Sequence, residues 1–365
     1  MLFNLDADTG DAIAGWLVLD NPSEIPQYRF TVPGRADQIF EANVFRQDLF
    51  DLGMHSTGMA GFAIDEHMVP GLRDVNNFVL REASSNLPIY SRFDPEIHLE
   101  RKLLMVDVGI LPQLRTMQRM MDLFAISYPL VDRYSLETIS WIFGRPYFRS
   151  TVVTGDVNWL RMASVIESSN FFSISLLRDP FEELAEKLIF LKRLIDQPAN
   201  PVASPILAKY EALLPTIRDL DLSDPKSLLA AMRNLDRPQR RSLRSPMTYA
   251  LGATPDEELQ RRNVSIALDN LARFSVVGVR SRFKEFASSV DASLGAPIFN
   301  GMQLHKLPQT EELASSLSKI GAVCDLLDED IALYSFVQEA VEEALSSQGR
   351  NESQAPNTPS RSETP

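Results

Sequence analysis

The first 85 residues carry short runs in which apolar and polar positions alternate: Ala12–Leu19, Tyr28–Val32 and Gln38–Val44. Turn-forming clusters, Asn21-Pro22-Ser23 and Pro33-Gly34, separate them. A period of two between turn signals predicts half-buried antiparallel strands, here a small β-sandwich-like domain over residues 1–85. Residues 86–97, with Pro88 and Pro95, read as a linker, so the first unit is expected to be separable. The pattern then changes. Apolar runs at Lys102–Val108, Ser150–Thr154, Phe171–Leu177 and Phe274–Val279 suit strands buried on both faces. Helical spacing lies between them: from Gly109 to about Phe124, from Val131 to Phe143 with Ser135 as a candidate cap, and from Pro180 with Phe181, Leu184, Ala185, Leu188, Ile189 and Leu191 on one face. Strands alternating with helices predict an α/β domain over residues 98–345, with a mostly parallel sheet flanked by helices.

Residues 196–263 interrupt that rhythm with Pro198, Pro201, Pro205, Pro215 and Pro225 and read as a helical insert. Helices are expected again at Glu311–Leu327 and Asp330–Leu345. The segment 346–365, SSQGRNESQAPNTPSRSETP, is poor in apolar residues and reads as a disordered tail.

Net charge is −13 over 365 residues, which argues against nucleic acid or an anionic membrane surface as the main partner. The single cysteine, Cys324, excludes an intrachain disulfide, and the N-terminal stretch has neither a basic start nor a long apolar run. The expectation is a cytoplasmic chain without a membrane span. The four histidines (His55, His67, His98 and His305) lack the spacing of metal ligands, so no metal is expected. Arg233, Arg237, Arg240, Arg241, Arg244, Arg261 and Arg262 crowd together; they form either a solvated face balanced by Asp236 and Glu257 or an anion site.

The junction at Arg178-Asp179-Pro180-Phe181-Glu182 joins a buried strand to a helix through a cation, with Asp179 as cap, Pro180 in the first turn and Glu182 placed for a capping box. It reads as an ordinary capped junction or as an anion site at a sheet edge. The same junction resembles the 3′-phosphate-binding segment of carbohydrate sulfotransferases. Phe274-Ser275-Val276-Val277-Gly278 leading to Arg282-Phe283 resembles that family's late strand and the helix start after it. Asp330-Ile331-Ala332-Leu333-Tyr334 is similar to the closing helix of the heparan-sulfate type. The three matches fall in the family's order within residues 98–345.

The resemblance implies a P-loop-like fold and transfer of a sulfuryl group from 3′-phosphoadenosine 5′-phosphosulfate, as co-substrate, to a sugar hydroxyl of a glycan or glycolipid acceptor. It places the phosphosulfate loop after the first parallel strand, where Gln113, Arg115 and Thr116 are the available donors. Arg178 would meet the 3′-phosphate, and Arg280 and Arg282 add cations. The base would be a carboxylate: Asp107, Glu137 or Asp156. Three departures stand out. The loop has one glycine, Gly109, and no lysine; Glu186 replaces the serine that relatives carry eight residues beyond the motif arginine; and Gly155-Asp156 replaces Gly-His. A carboxylate at 186 would repel a phosphate unless the helix turns it away. These departures open a second reading, a non-catalytic relative that binds a glycan or acts as a scaffold. Finally, Gly15-Trp16, Ala42 to Leu49 with Arg46 and Asp48, Gly53, Gly58 and Gly61-Phe62 resemble a small β-domain found beside glycosyltransferases, which implies a glycan-handling context. Trp16 and Phe62 are expected in its core, and Arg46 with Asp48 as a structural pair.

Overall fold

The structure is a computed structural model that describes residues 1–111, 113–197 and 203–353. The alternating runs of the first third fold as two antiparallel sheets. One takes strands β1 (Leu2–Asp8), β2 (Ala12–Val18), β5 (Val44–Phe45) and β6 (Met59–Asp65), in the order β1-β2-β6-β5. The other takes β3 (Gln27–Thr31), β4 (Gln38–Glu41), β7 (Val79–Glu82) and β8 (Pro88–Tyr90), in the order β4-β3-β7-β8. Their inner faces meet: the Tyr28 ring lies 4.7 Å from that of Phe62, and its hydroxyl donates to the Ala60 carbonyl across the gap. Trp16 and Phe62 are buried, as expected. Arg46 donates to both oxygens of Asp48 at 2.9 and 2.7 Å, the expected structural pair.

Strand β8 falls inside the expected linker, and so does Arg92. Arg92 clamps Asp8 through two bonds of 2.7 and 2.8 Å and donates to the carbonyls of Leu72 and Val75. The sandwich therefore runs through residue 92.

The second half builds a five-stranded parallel sheet from β9 (Lys102–Val106), β10 (Ile126–Tyr128), β11 (Thr151–Gly155), β12 (Phe172–Leu177) and β13 (Val276–Val279), in the order β10-β11-β9-β12-β13. Both faces are covered, which is why β9 reads as an unbroken apolar run. Leu104 and Val106 face the cluster that holds Trp159 and the sandwich core, and Leu103 and Met105 face Phe286 and Val290. The helices Leu114–Leu123, Leu136–Phe143, Trp159–Ser168 and Pro180–Asp196 connect the strands. Ser135 caps the second of these by accepting from Thr138 N.

The sandwich and the α/β unit share one hydrophobic cluster, with Leu87 and Ile89 beside Tyr128 and Phe143. Polar ties cross as well. Tyr128 donates to the Pro88 carbonyl at 2.8 Å, Trp141 Nε1 to the Phe3 carbonyl, and Arg145 to Asn4 at 3.2 Å. This shared core weighs against a freely separable first unit.

The insert is helical as expected, with helices Ala203–Lys209, Leu214–Asp219, Pro225–Arg233, Arg237–Leu243 and Pro246–Gly252. Two boundaries differ from the sequence reading. The helix expected at 311–327 is two, Thr310–Leu317 and Gly321–Leu326, because Ile320 is extended. The closing helix runs Asp328–Ser353, so the start of the expected tail is helical, and residues 354–365 lie outside the described residues.

Candidate functional site

In an open parallel sheet, ligands meet the carboxyl ends of the strands where the strand order reverses. Here that place lies around β9, between β11 and β12. The residues immediately past β9, β12 and β13 are Asp107, Arg178 and Arg280, so the topology gathers three of the expected site residues at one edge. The helix that follows β12 begins as the sequence predicts: Asp179 accepts from the N–H groups of Phe181 and Glu182 at 2.9 and 3.0 Å, with Pro180 first. The capping box does not form, because Glu182 turns outward to Lys306 at 3.1 Å.

What surrounds Arg178 is carboxylate. Its guanidinium pairs with Asp107 at 3.2 Å and with Glu183 and Glu186 at 3.3 Å each. Arg280 pairs with the same Glu186 oxygen at 2.9 Å and donates to the His305 carbonyl at 2.7 Å. The helix therefore points Glu186 inward, fully buried, between the guanidiniums of Arg178 and Arg280, and it binds both. Burial works against charge on Arg178, yet Asp107, Glu183 and Glu186 hold its guanidinium well above its ordinary range. Burial pushes the Glu183 carboxyl up, against the pull of Arg178 and Lys187. Three carboxylates face two guanidiniums, and Glu186 Oε1 and Arg280 Nε have no hydrogen-bond partner among the described residues.

The loop after β9 is occupied in the same way. The Gly109 N–H donates to Asp107 at 2.9 Å and the Ile110 N–H to Glu183 at 3.2 Å, so amides able to cradle a phosphate already hold side-chain anions. A β-carbon at Gly109 would collide with the Arg178 guanidinium, so any larger residue would have to push that ion-paired group aside. Gln113 exchanges bonds of 3.2 and 2.7 Å with the backbone of His305, a structural clasp. Thr116 is buried and lines a cavity of about 30 Å³ with Asp107 and Gly109, and a second, of about 10 Å³, lies beside Arg178. Such spaces suit about one water each, whereas small-molecule pockets run to roughly 300–1,000 Å³. The larger hollows, of about 600 and 690 Å³, are lined by none of the expected site residues.

The remaining candidates stand apart. Arg115 and Glu137 are exposed, and no ion pair joins either to the cluster among the described residues. Arg282 is half-exposed and pairs with Glu285. Asp156, beyond β11, shares Lys209 with Asp132, at 3.4 and 2.8 Å. Sequence reasoning missed Glu183, Lys209 and the His305 backbone. Glu183 and Glu186 are three apart on one helix face, a spacing that marks them as joint partners of one cation.

Four of the seven crowded arginines are balanced by carboxylates among the described residues, with Glu257 among these partners as expected, whereas Asp236 caps the helix Arg237–Leu243 instead. Arg237, Arg244, Arg261 and Arg262 pair with Glu258, Glu329, Asp328 and Glu257, while Arg240 and Arg241 bond carbonyls and the Tyr249 hydroxyl. Asp330 of the closing helix is buried and accepts from Met247 N, Thr248 N and Thr248 Oγ1 at 2.7–3.0 Å, capping Pro246–Gly252. Among the described residues, no group of three or more His, Cys, Asp or Glu side chains is arranged to hold a metal, and no helix is long and apolar enough to cross a membrane. No family model and no curated protein matches this chain.

Proposed function

We propose that this chain is a sulfotransferase-like protein of P-loop-like topology whose donor site is filled by its own side chains, and that it acts by binding a glycan rather than by transferring a sulfuryl group. One observation carries the reading. Glu186 pairs with both Arg178 and Arg280, the cations that the resemblance would give to the donor's phosphate. The small cavities at that edge support it, since a nucleotide needs far more room. The sheet order and the cations at its carboxyl edge support the kinship with sulfotransferases.

The deciding experiment titrates 3′,5′-adenosine bisphosphate into the full chain and into Glu186→Ser by calorimetry. Wild type is expected to show no binding. Glu186→Ser removes the internal anion and should bind measurably if the two guanidiniums form a phosphate site.

A second reading is favoured by the incomplete pairing of the cluster. With an excess carboxylate and an unpartnered Arg280 Nε, an arriving 3′-phosphoadenosine 5′-phosphosulfate would displace Glu186, and Asp107 or Asp156 would take the acceptor proton. Asp156 lies outside the Arg178 cluster but follows β11 at the same carboxyl edge, whereas Glu137 is exposed on the helix Leu136–Phe143. Micromolar binding of the bisphosphate by wild type, followed by sulfuryl transfer, would establish this reading and defeat the first.

A further inference from the structure

Most buried or half-buried arginines described above meet a carboxylate within 3.5 Å; among the described residues Arg145, held by the Trp141 and Asn4 oxygens, does not, and neither does one cross-strand group. On the outer face of the sheet β4-β3-β7-β8, Arg29 and Arg81 are direct cross-strand partners, because their neighbours Tyr28, Phe30 and Leu80 take the core side. Like charges placed opposite one another across two strands destabilise a sheet. Arg81 lies in turn opposite Pro88, whose carbonyl accepts from Tyr128. That contact brings up the short 3₁₀ turn Val131–Arg133, where Arg133 is exposed and bonds the Tyr134 hydroxyl.

Among the described residues neither Arg81 nor Arg133 pairs with a carboxylate, and the nearest to Arg29 is Asp37, 4.0 Å from its Nε. Burial, together with the charges of Arg133 and Arg29, pushes the Arg81 guanidinium down from its ordinary range, with the nearby Tyr134 and Tyr128 hydroxyls opposing. The guanidiniums are nevertheless held in place. Arg29 donates to Asn86 Oδ1 at 2.9 Å and to the Ala83 carbonyl at 2.8 Å, and Arg81 donates to the Asn86 carbonyl at 3.5 Å. Neutral acceptors position Arg29 and Arg81, and among the described residues Arg29 alone of the three has a carboxylate, Asp37, at the limit of ion-pair reach. In a chain of net charge −13, with 49 acidic residues available, Arg81 and Arg133 go unpaired among the described residues and Arg29 is paired only at 4.0 Å, which leaves this face able to take up an external anion.

We propose that Arg29, Arg81 and Arg133 form a binding site for the carboxylate or sulfate groups of an acidic saccharide. Cations about one strand spacing apart, roughly 5 Å, suit anions repeated along an extended chain better than one compact phosphate. Ile39, the cross-strand partner of Arg29 on the other side, is 58% exposed and offers an apolar surface to a sugar ring. The saccharide part of this assignment rests on the glycan-binding reading above, and the anion part does not.

The test uses the full chain at low salt with two soluble probes, trigalacturonate and sodium sulfate, and with phosphatidylglycerol vesicles as a third, against sodium chloride of matched ionic strength. Calorimetry and thermal melts provide the readouts. Wild type should bind trigalacturonate, and Arg81→Gln should weaken that binding roughly tenfold or more. The melting temperature of Arg81→Gln without ligand should equal or exceed that of wild type, because a repulsion is removed, an outcome that a merely structural arginine would not give. If Arg81→Gln fails to fold, Arg133→Gln on the exposed turn carries the test, with a loss of several-fold expected. No binding of either soluble probe by wild type, or binding indifferent to these substitutions, overturns the site. Sulfate binding without trigalacturonate refutes the saccharide and keeps the anion site. Binding to phosphatidylglycerol vesicles in place of trigalacturonate likewise refutes the saccharide assignment. The bisphosphate titration reports separately on the donor edge, so failure of that reading is distinguishable from failure here.

Discussion

Replacing Arg178 by alanine tests the charge cluster most directly. The guanidinium is buried and meets Asp107, Glu183 and Glu186 at 3.2–3.3 Å, so its loss leaves the three carboxylates with Arg280, which pairs with Glu186 and with neither of the others, and with the weaker pull of Lys187 on Glu183. Removing one partner of a buried ion pair costs about 3–5 kcal/mol, because the remaining charge stays desolvated. Unfolding entropy near 2.1 cal/mol/K per residue gives roughly 0.8 kcal/mol/K for 365 residues, so the melting temperature should fall by about 4–7 °C. The pH dependence gives a second signature. Glu183, already pushed up by burial, loses its strongest cation in the mutant, and its folded-state pKa rises further above the unfolded value. A carboxyl raised in the folded state favours folding while protonated and loses that contribution as pH rises through the folded pKa. The gap between wild type and Arg178→Ala should therefore be wide at pH 8 and narrow towards pH 5. Calorimetric melts of the full chain at both values measure it. A mutant melting within a degree of wild type at pH 8, or a gap independent of pH, would refute the claim that Arg178 is the keystone of an internal ion cluster.

Asp330, pushed up to about 6 by burial, should make wild-type stability fall by about 3 kcal/mol as pH rises from below 3.8 to above 6; Asp330→Asn should lack this slope in chemical denaturation curves, whatever its absolute stability. Gly109→Ala places a methyl group against the Arg178 guanidinium and should destabilise by about 1–3 kcal/mol, read by the same melts; an unchanged melting point would show that the loop yields freely. A chain starting at residue 90 would expose Tyr128, Trp141 and Phe143, which now pack against the sandwich, and should aggregate when expressed alone; a monodisperse, cooperatively melting product on size-exclusion chromatography would contradict this.

Local pattern was enough for the elements. The period of two before residue 85, the buried runs at Lys102–Val106 and Phe172–Leu177, and the Asp179-Pro180 helix start are all set by neighbours within a few residues. So was the gathering of Asp107, Arg178 and Arg280, because parallel strands deliver whatever follows them to one edge. The electrostatic character of that edge was not legible. Whether Glu186 repels an incoming phosphate or replaces it depends on which way one helix face turns, and that is decided by packing of Leu184, Leu188 and Leu191 against the insert. The Arg29–Arg81 pair was invisible for the same reason. The two residues lie 52 positions apart in the chain, and only strand register makes them neighbours. The sequence by itself determined the types and order of the strands and helices and the cations that end them. Tertiary structure alone decided which charges are neutralised and which remain free, because a charge's partner is chosen by distances across the fold, to which local periodicity is blind.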